Sequence, residues 1–155
     1  MNQIKEEEQI AKMYKDDCLF CKFAKHEIEP AIIFENEHVL AFVELNPAGL
    51  LIGHTQVIPK KHFETIETVE DEYLKEVILV VKNLARAIKK ISGADGINIS
   101  QKNGKAAGQF INHVHFHIIP RKNGDNIIVD ENRRKAAPME LVETARLIKE
   151  ALQKK

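Results

Sequence analysis

The chain has 155 residues, enough for one domain with one core, and its 44% apolar and 30% charged residues give an ordinary globular balance. Formal net charge is zero with histidine neutral, so there is no basic field of the type a nucleic-acid binder needs, although a single nucleotide needs only local donors. No apolar run approaches the roughly 18 residues of a membrane span, and the charged start from Met1 to Asp17 lacks the apolar stretch of a secretory signal, so a cytoplasmic location is expected.

Residues 1–16, with the run Glu6-Glu7-Glu8, read as an exposed helical or frayed lead-in. Cys18 and Cys21 follow. A reducing compartment disfavours a disulfide, so a CxxC pair here points to metal binding or redox chemistry, with plain packing as the alternative. A redox pair would want a preceding strand in a βαβ context, and the lead-in supplies none. Ile32-Ile33-Phe34 and Val39 to Val43 are short apolar runs that predict a hairpin. Asn46-Pro47-Ala48-Gly49 is turn chemistry, and Thr55 to Ile58, closed by Pro59, reads as another strand.

From about Val69 to Ile91 the residues Leu74, Val77, Ile78, Val81, Leu84, Ala85, Ile88 and Ile91 recur at helical spacing and make one apolar face. Thr68 is placed to cap this helix, with Asp71 three residues on, and Ser92-Gly93 to end it. Ile97 and Ile99 alternate with polar residues, as in a half-buried strand. His113 to Ile119 predicts a strand ended by Pro120, and Pro138 to Leu152 a terminal helix. Short-turn strands with helices gathered elsewhere indicate an α+β fold with an antiparallel sheet.

His113-Val114-His115-Phe116-His117-Ile118-Ile119 is the most informative segment. Alternate side chains of a strand share a face. Val114, Phe116 and Ile118 therefore face a core, and three imidazoles line up on the other side, roughly 6.5–7 Å apart along the strand. Such a row suits either metal binding or nucleophilic and acid–base chemistry, because imidazole titrates near neutrality. The preceding loop, Asn103 to Gln109, has small residues that let backbone N–H groups approach an anion, and Gln109 adds an amide donor. Feeding into a histidine row, it reads as a phosphate cradle.

On these motifs the chain closely resembles the histidine-triad (HIT) family, over roughly Asp17 to Arg121. The likeness includes Cys18-Leu19-Phe20-Cys21-Lys22, Ile32-Ile33-Phe34-Glu35, Leu40-Ala41-Phe42, Gly53-His54-Thr55, Val57-Ile58-Pro59-Lys60-Lys61-His62 and Ala107-Gly108-Gln109. The Hint branch, with its nucleoside phosphoramidase activity, is the nearest. The resemblance implies one HIT domain over 1–155 with its core at about 17–125. Its antiparallel sheet would have about five strands, with one long helix, the N-terminal extension and a C-terminal helix at about 138–153.

The same resemblance implies that His115 forms a covalent nucleotidyl intermediate which water hydrolyses, supported by His117 and His54. It places Gln109 and the Gly108 amide at the phosphate and Glu44 at the ribose hydroxyls. Phe20, Ile28, Phe42 and Leu45 would line the base pocket. Structural zinc would sit on Cys18, Cys21, His62 and His113, a closed four-ligand set. No carboxylate cluster suggests a catalytic magnesium ion. The substrate would be an AMP-like purine nucleotide amide, with dinucleoside polyphosphate hydrolysis or non-catalytic nucleotide binding as alternatives, and the family typically forms homodimers.

Three departures stand out. Lys102 replaces an asparagine that faces the sugar–phosphate in relatives, leaving Asn103 to substitute for it. Phe110 replaces a small hydroxyl residue near the leaving group. The segment from Asn46 to His54 is about two residues longer than usual. His26 and His38 belong to no motif and read as surface residues.

Overall fold

Short β-branched and aromatic runs assemble into a five-stranded antiparallel sheet, β1 (Ile32–Glu35), β2 (Val39–Val43), β3 (Thr55–Pro59), β4 (Gly96–Gln101) and β5 (Phe116–Arg121), in the order β1-β2-β3-β5-β4. The computed structural model describes residues 2–154; Met1 and Lys155, the ends of the expected domain, lie outside the described residues. The helices are α1 (Asn2–Met13), α2 (Leu19–Ala24), α3 (Asp71–Ser92) and α4 (Pro138–Gln153). The α+β class, the five strands, the long helix and the terminal helix that opens on Pro138 match expectation.

Both faces of the central strands are covered, while the edge strand β4 keeps Asn98 and Ile99 exposed. On one face α3 and α4 bury Val77, Val81, Leu84, Ile88 and Ile148 against Val39, Ala41, Val57, Phe116 and Ile118. On the other, Leu40, Phe42 and Ile58 meet a small second core of Cys18, Phe20, Cys21 and Phe23 from the start of α2. Central strands buried on both sides read as continuous apolar runs, which explains why every residue of β2 is buried. The histidine face is thus packed over β2 and β3. Among the described residues, no helix is long and apolar enough to cross a membrane.

Several boundaries differ from expectation. Thr68 does not cap α3. It ends a 3-10 turn, Ile66–Thr68, in which its hydroxyl donates to the Thr65 carbonyl at 2.8 Å. The helix begins at Asp71 behind Glu70, which makes no side-chain capping bond. Its left-handed end at Gly93 is as expected. Ile78 is 48% exposed, off the buried stripe.

The histidine strand starts late and ends late. His113 to His115 form an extended lead-in and β5 proper runs through Pro120 to Arg121. Proline is tolerated there because β3 pairs only with Phe116, His117 and Ile118, so Pro120 has a ladder partner only in β4. The lead-in helix α1 buries nothing. The polar stretch after β5 is more than a linker: it runs back along the 46–54 loop, with Arg134 and Ala136 donating to the Pro47 and Leu45 carbonyls at 3.1 Å each.

His54 enters β3 over a tight contact. Gly53 has φ +119°, and a Cβ there would lie 2.7 Å from Ile88 Cγ2 of α3. Both conformation and space demand glycine. Gly53→Ala is expected to cost about 2–3 kcal/mol, read as a lower urea midpoint; an unchanged midpoint would mean that α3 yields freely at this point.

Candidate active site and metal centre

His54 and His117 share a hydrogen bond, His115 packs against His117, and the tautomer of each ring can be deduced. The His113 carbonyl lies 2.7 Å from His115 Nδ1. A carbonyl only accepts, so Nδ1 carries the hydrogen and the Nε2 lone pair of His115 is free. At the other end, the Ala48 backbone N–H donates to His54 Nδ1 at 2.9 Å. His54 therefore carries its hydrogen on Nε2, which donates to His117 Nδ1 at 2.9 Å. That leaves His117 with its hydrogen on Nε2. The His115 and His117 rings stand 5.2 Å apart, centre to centre.

Charge is kept off this group. Burial drives His54 down to about 2, with His117 and Arg133 adding to the effect. Burial likewise lowers His117 to about 3, helped by His115, Arg133 and Lys102. His115 also falls below the ordinary imidazole value through burial, partly offset by its bond to the His113 carbonyl. All three rings are neutral at physiological pH, the form in which imidazole attacks.

Cys18, Cys21, His62 and His113 form a second cluster whose ligand atoms all lie within 4.8 Å of one another. Cys18 Sγ is 3.4 Å from His113 Nδ1, and Cys21 Sγ is 3.3 Å from His62 Nδ1. Tetrahedral zinc at its usual Zn–S and Zn–N distances would set such edges at about 3.5 Å. His113 Nε2–H donates to the Pro59 carbonyl at 2.8 Å, turning the Nδ1 lone pair toward the thiols. The Cys18 thiol is held well below the usual thiol range, mainly by its hydrogen bond with Cys21 and then by His113. The donor set fits a closed zinc site. A different trio, Glu44, His54 and His117, is also clustered, but its two nitrogens share a 2.9 Å hydrogen bond, too close to flank a zinc ion.

Phe20 links the two clusters. Its ring sits edge-on to His113 at 5.8 Å and to His115 at 5.2 Å. Phe20 and Phe42 are 2% and 3% exposed, so they form a packed floor, not the open wall of a base pocket. Ile28 and Leu45 are about half exposed and remain available to a base.

The phosphate loop differs from expectation at each of its expected contacts: the Gly108 N–H donates to the Lys105 carbonyl at 3.0 Å, and Gln109 and Asn103 are engaged as well. Gly108 has φ +86°, as a tight loop requires. The Gln109 amide, however, is fully committed to backbone. Its two N–H groups donate to the Glu64 and Ile111 carbonyls at 2.6 and 3.0 Å, and its oxygen accepts from Gly104 N–H at 2.7 Å. No amide hydrogen is left for a phosphate; Gln109 braces the loop. Asn103 is similarly engaged with Ile66 N–H and Gln101. Phe110 is 85% exposed.

Glu44 is buried, held by the Gln56 amide and by Asn46 N–H, with Arg133 Nη1 at 3.6 Å and His117 Nδ1 at 4.0 Å. A carboxylate so placed keeps a fixed direction beside the triad. Gln56 and Arg133 escaped the sequence reading: Gln56 hides within an apolar strand, and Arg133 lies in a polar stretch with no periodicity. His26 and His38 pair with surface acids, Glu29 and Glu35 for one, Glu72 and Glu76 for the other.

Comparison with known proteins gives a consistent picture. A family model, the HIT domain, matches residues 25–124. The chain is 48% identical over 112 residues to an uncharacterized HIT-like protein of Methanocaldococcus jannaschii, covering 72% of this chain and 84% of that one. It is 38% identical over 106 residues to an adenosine 5'-monophosphoramidase of Saccharomyces cerevisiae, covering 68% and 63%. The crystal structure of a zinc-bound histidine triad family protein from Mycobacterium smegmatis superposes with a TM-score of 0.75 at 33% identity, covering 88% and 94%. Fold, histidine arrangement and sequence thus agree, and the chain belongs to the histidine triad family.

Proposed function

We propose that this protein hydrolyses nucleoside 5'-phosphoramidates of the AMP type by way of a nucleotidyl group carried on His115. The observation that carries the reading is the His115 tautomer: Nδ1–H is tied to the His113 carbonyl and Nε2 presents a free lone pair. The likeness to a yeast adenosine 5'-monophosphoramidase supports the same substrate class.

In the first step the His115 Nε2 lone pair bonds to phosphorus while the phosphorus–nitrogen bond of the substrate breaks. Its electron pair goes to the departing amine, which takes a proton from a water molecule to which His117 Nε2–H donates. In the second step the hydroxide so formed bonds to phosphorus and the bond to His115 breaks with its pair returning to Nε2, so that every ring ends in the form in which it began. An amine leaves poorly unprotonated, so the chain Ala48, His54, His117, which holds the His117 hydrogen on Nε2, is the second requirement of the mechanism.

Zinc on Cys18, Cys21, His62 and His113 is assigned a structural role, because four protein ligands leave no open position. It would fix α2 and the start of the histidine segment, leaving the reaction to His115, His117 and His54.

His115→Ala is expected to reduce turnover of adenosine 5'-phosphoramidate by at least about a thousandfold while AMP still binds within about threefold of wild type; persisting turnover would remove His115 as nucleophile. Because burial lowers the three imidazoles, their neutral forms persist below 6.5, the ordinary imidazole value. A profile of kcat/KM should therefore stay level through pH 6.5 and decline only at lower pH, whereas a decline centred at 6.5 would contradict the buried neutral triad. Metal analysis of protein prepared without chelator should find about one zinc per chain, falling to near zero in Cys21→Ser together with a lower melting temperature.

A further inference from the structure

We infer that Lys102 and Arg133 form a two-cation clamp for the phosphoryl oxygens of the bound nucleotide, with Asp130 holding their place until it binds. The inference rests on the reading of the triad as a nucleotide site. It starts from a shortfall: Gln109 has no amide hydrogen to give a phosphate. Charge on the non-bridging oxygens must be met by other donors, since charge developing in the transition state needs fixed partners.

Lys102 lies over the loop that was to cradle the phosphate. Its Nζ is 3.5 Å from where a Cβ on Gly108 would sit. Arg133 approaches from the other side, with Nη1 3.6 Å from Glu44, the carboxylate that lies 4.0 Å from His117. Between the cations stands Asp130, 2.8 Å from Lys102 and 3.9 Å from Arg133. Both cations depress the proton affinity of His115 and His117, as expected of charges aimed at the same space.

The position of Arg133 is built, not incidental. Its backbone bridges to Ala48, Gly49 N–H donates to the Asn132 carbonyl at 3.3 Å, and its guanidinium donates to the Asn46 carbonyl at 2.8 Å. The lengthened 46–54 loop is the edge on which this segment docks. Arg133 lies beyond residues 25–124, the span matched by the family model. Asp130 is half exposed and its pairs are solvent-accessible. Exposed ion pairs contribute little, so a phosphoryl group can displace the carboxylate and take both cations, with Arg133 presenting a planar fork suited to its oxygens.

Isothermal titration with AMP and with adenosine separates the clamp from the rest of the site. Lys102→Met and Arg133→Gln are each expected to weaken AMP about tenfold to a hundredfold and leave adenosine within about twofold. Asp130→Asn should act in the opposite sense, tightening AMP several-fold without affecting adenosine. The AMP dissociation constant should rise more steeply with salt in wild type than in the double variant. Equal losses for AMP and adenosine, or no change with AMP, would overturn the clamp. Failure of the nucleophile reading shows elsewhere, as turnover surviving in His115→Ala with the AMP-selective losses intact.

Discussion

On the proposed reading, the chemistry rests on two backbone groups: the His113 carbonyl and the Ala48 N–H. Each fixes one ring nitrogen at one end of the triad. The Ala48 N–H alone sets the sense of the bond between His54 and His117, while the His113 carbonyl sets His115 by itself. The lone pair and the hydrogen that phosphorus chemistry needs are thus set by main-chain atoms, which do not titrate. Burial then removes the remaining freedom by keeping every ring uncharged. A side-chain partner such as a carboxylate would have fixed a tautomer too, but would also have raised the basicity of the ring.

The fold exists to hold those two groups still. Gly53 brings the chain against Ile88 just before His54, and β3 delivers His54 opposite the strand that carries His117. On the far side α2 places Cys18 and Cys21 beneath His113 and wedges Phe20 between His113 and His115. On the proposed reading, a metal at that cluster would fix the residue whose carbonyl orients His115. The metal-site histidine and the proposed nucleophile would then be neighbours in sequence for a mechanical reason: one anchors the peptide that aims the other.

The alternation of His113, His115 and His117 was legible in the sequence because a strand has a period of two, and the CxxC spacing was legible because a metal site is local on one arm. The class of fold, the long helix and the terminal helix followed from apolar periodicity. What could not be read was direction. The small-residue loop places Gln109 beside the histidine row, yet its amide turns inward to three backbone groups, the Gly104 N–H and the Glu64 and Ile111 carbonyls. Thr68 has the residue type of a helix cap, but the 3-10 turn at Ile66 claims it first. Pro120 suggests a strand end until the pairing shows that β3 has already stopped. Arg133 and Asp130 were invisible because their partners lie far away in sequence.

His115 is only 9% exposed and packs edge-on against Phe20, part of the small core under α2. On the proposed reading, an imidazole with so little open surface meets few water molecules while it waits. Its free lone pair is then held in readiness by packing alone, with no partner that a substrate would first have to displace.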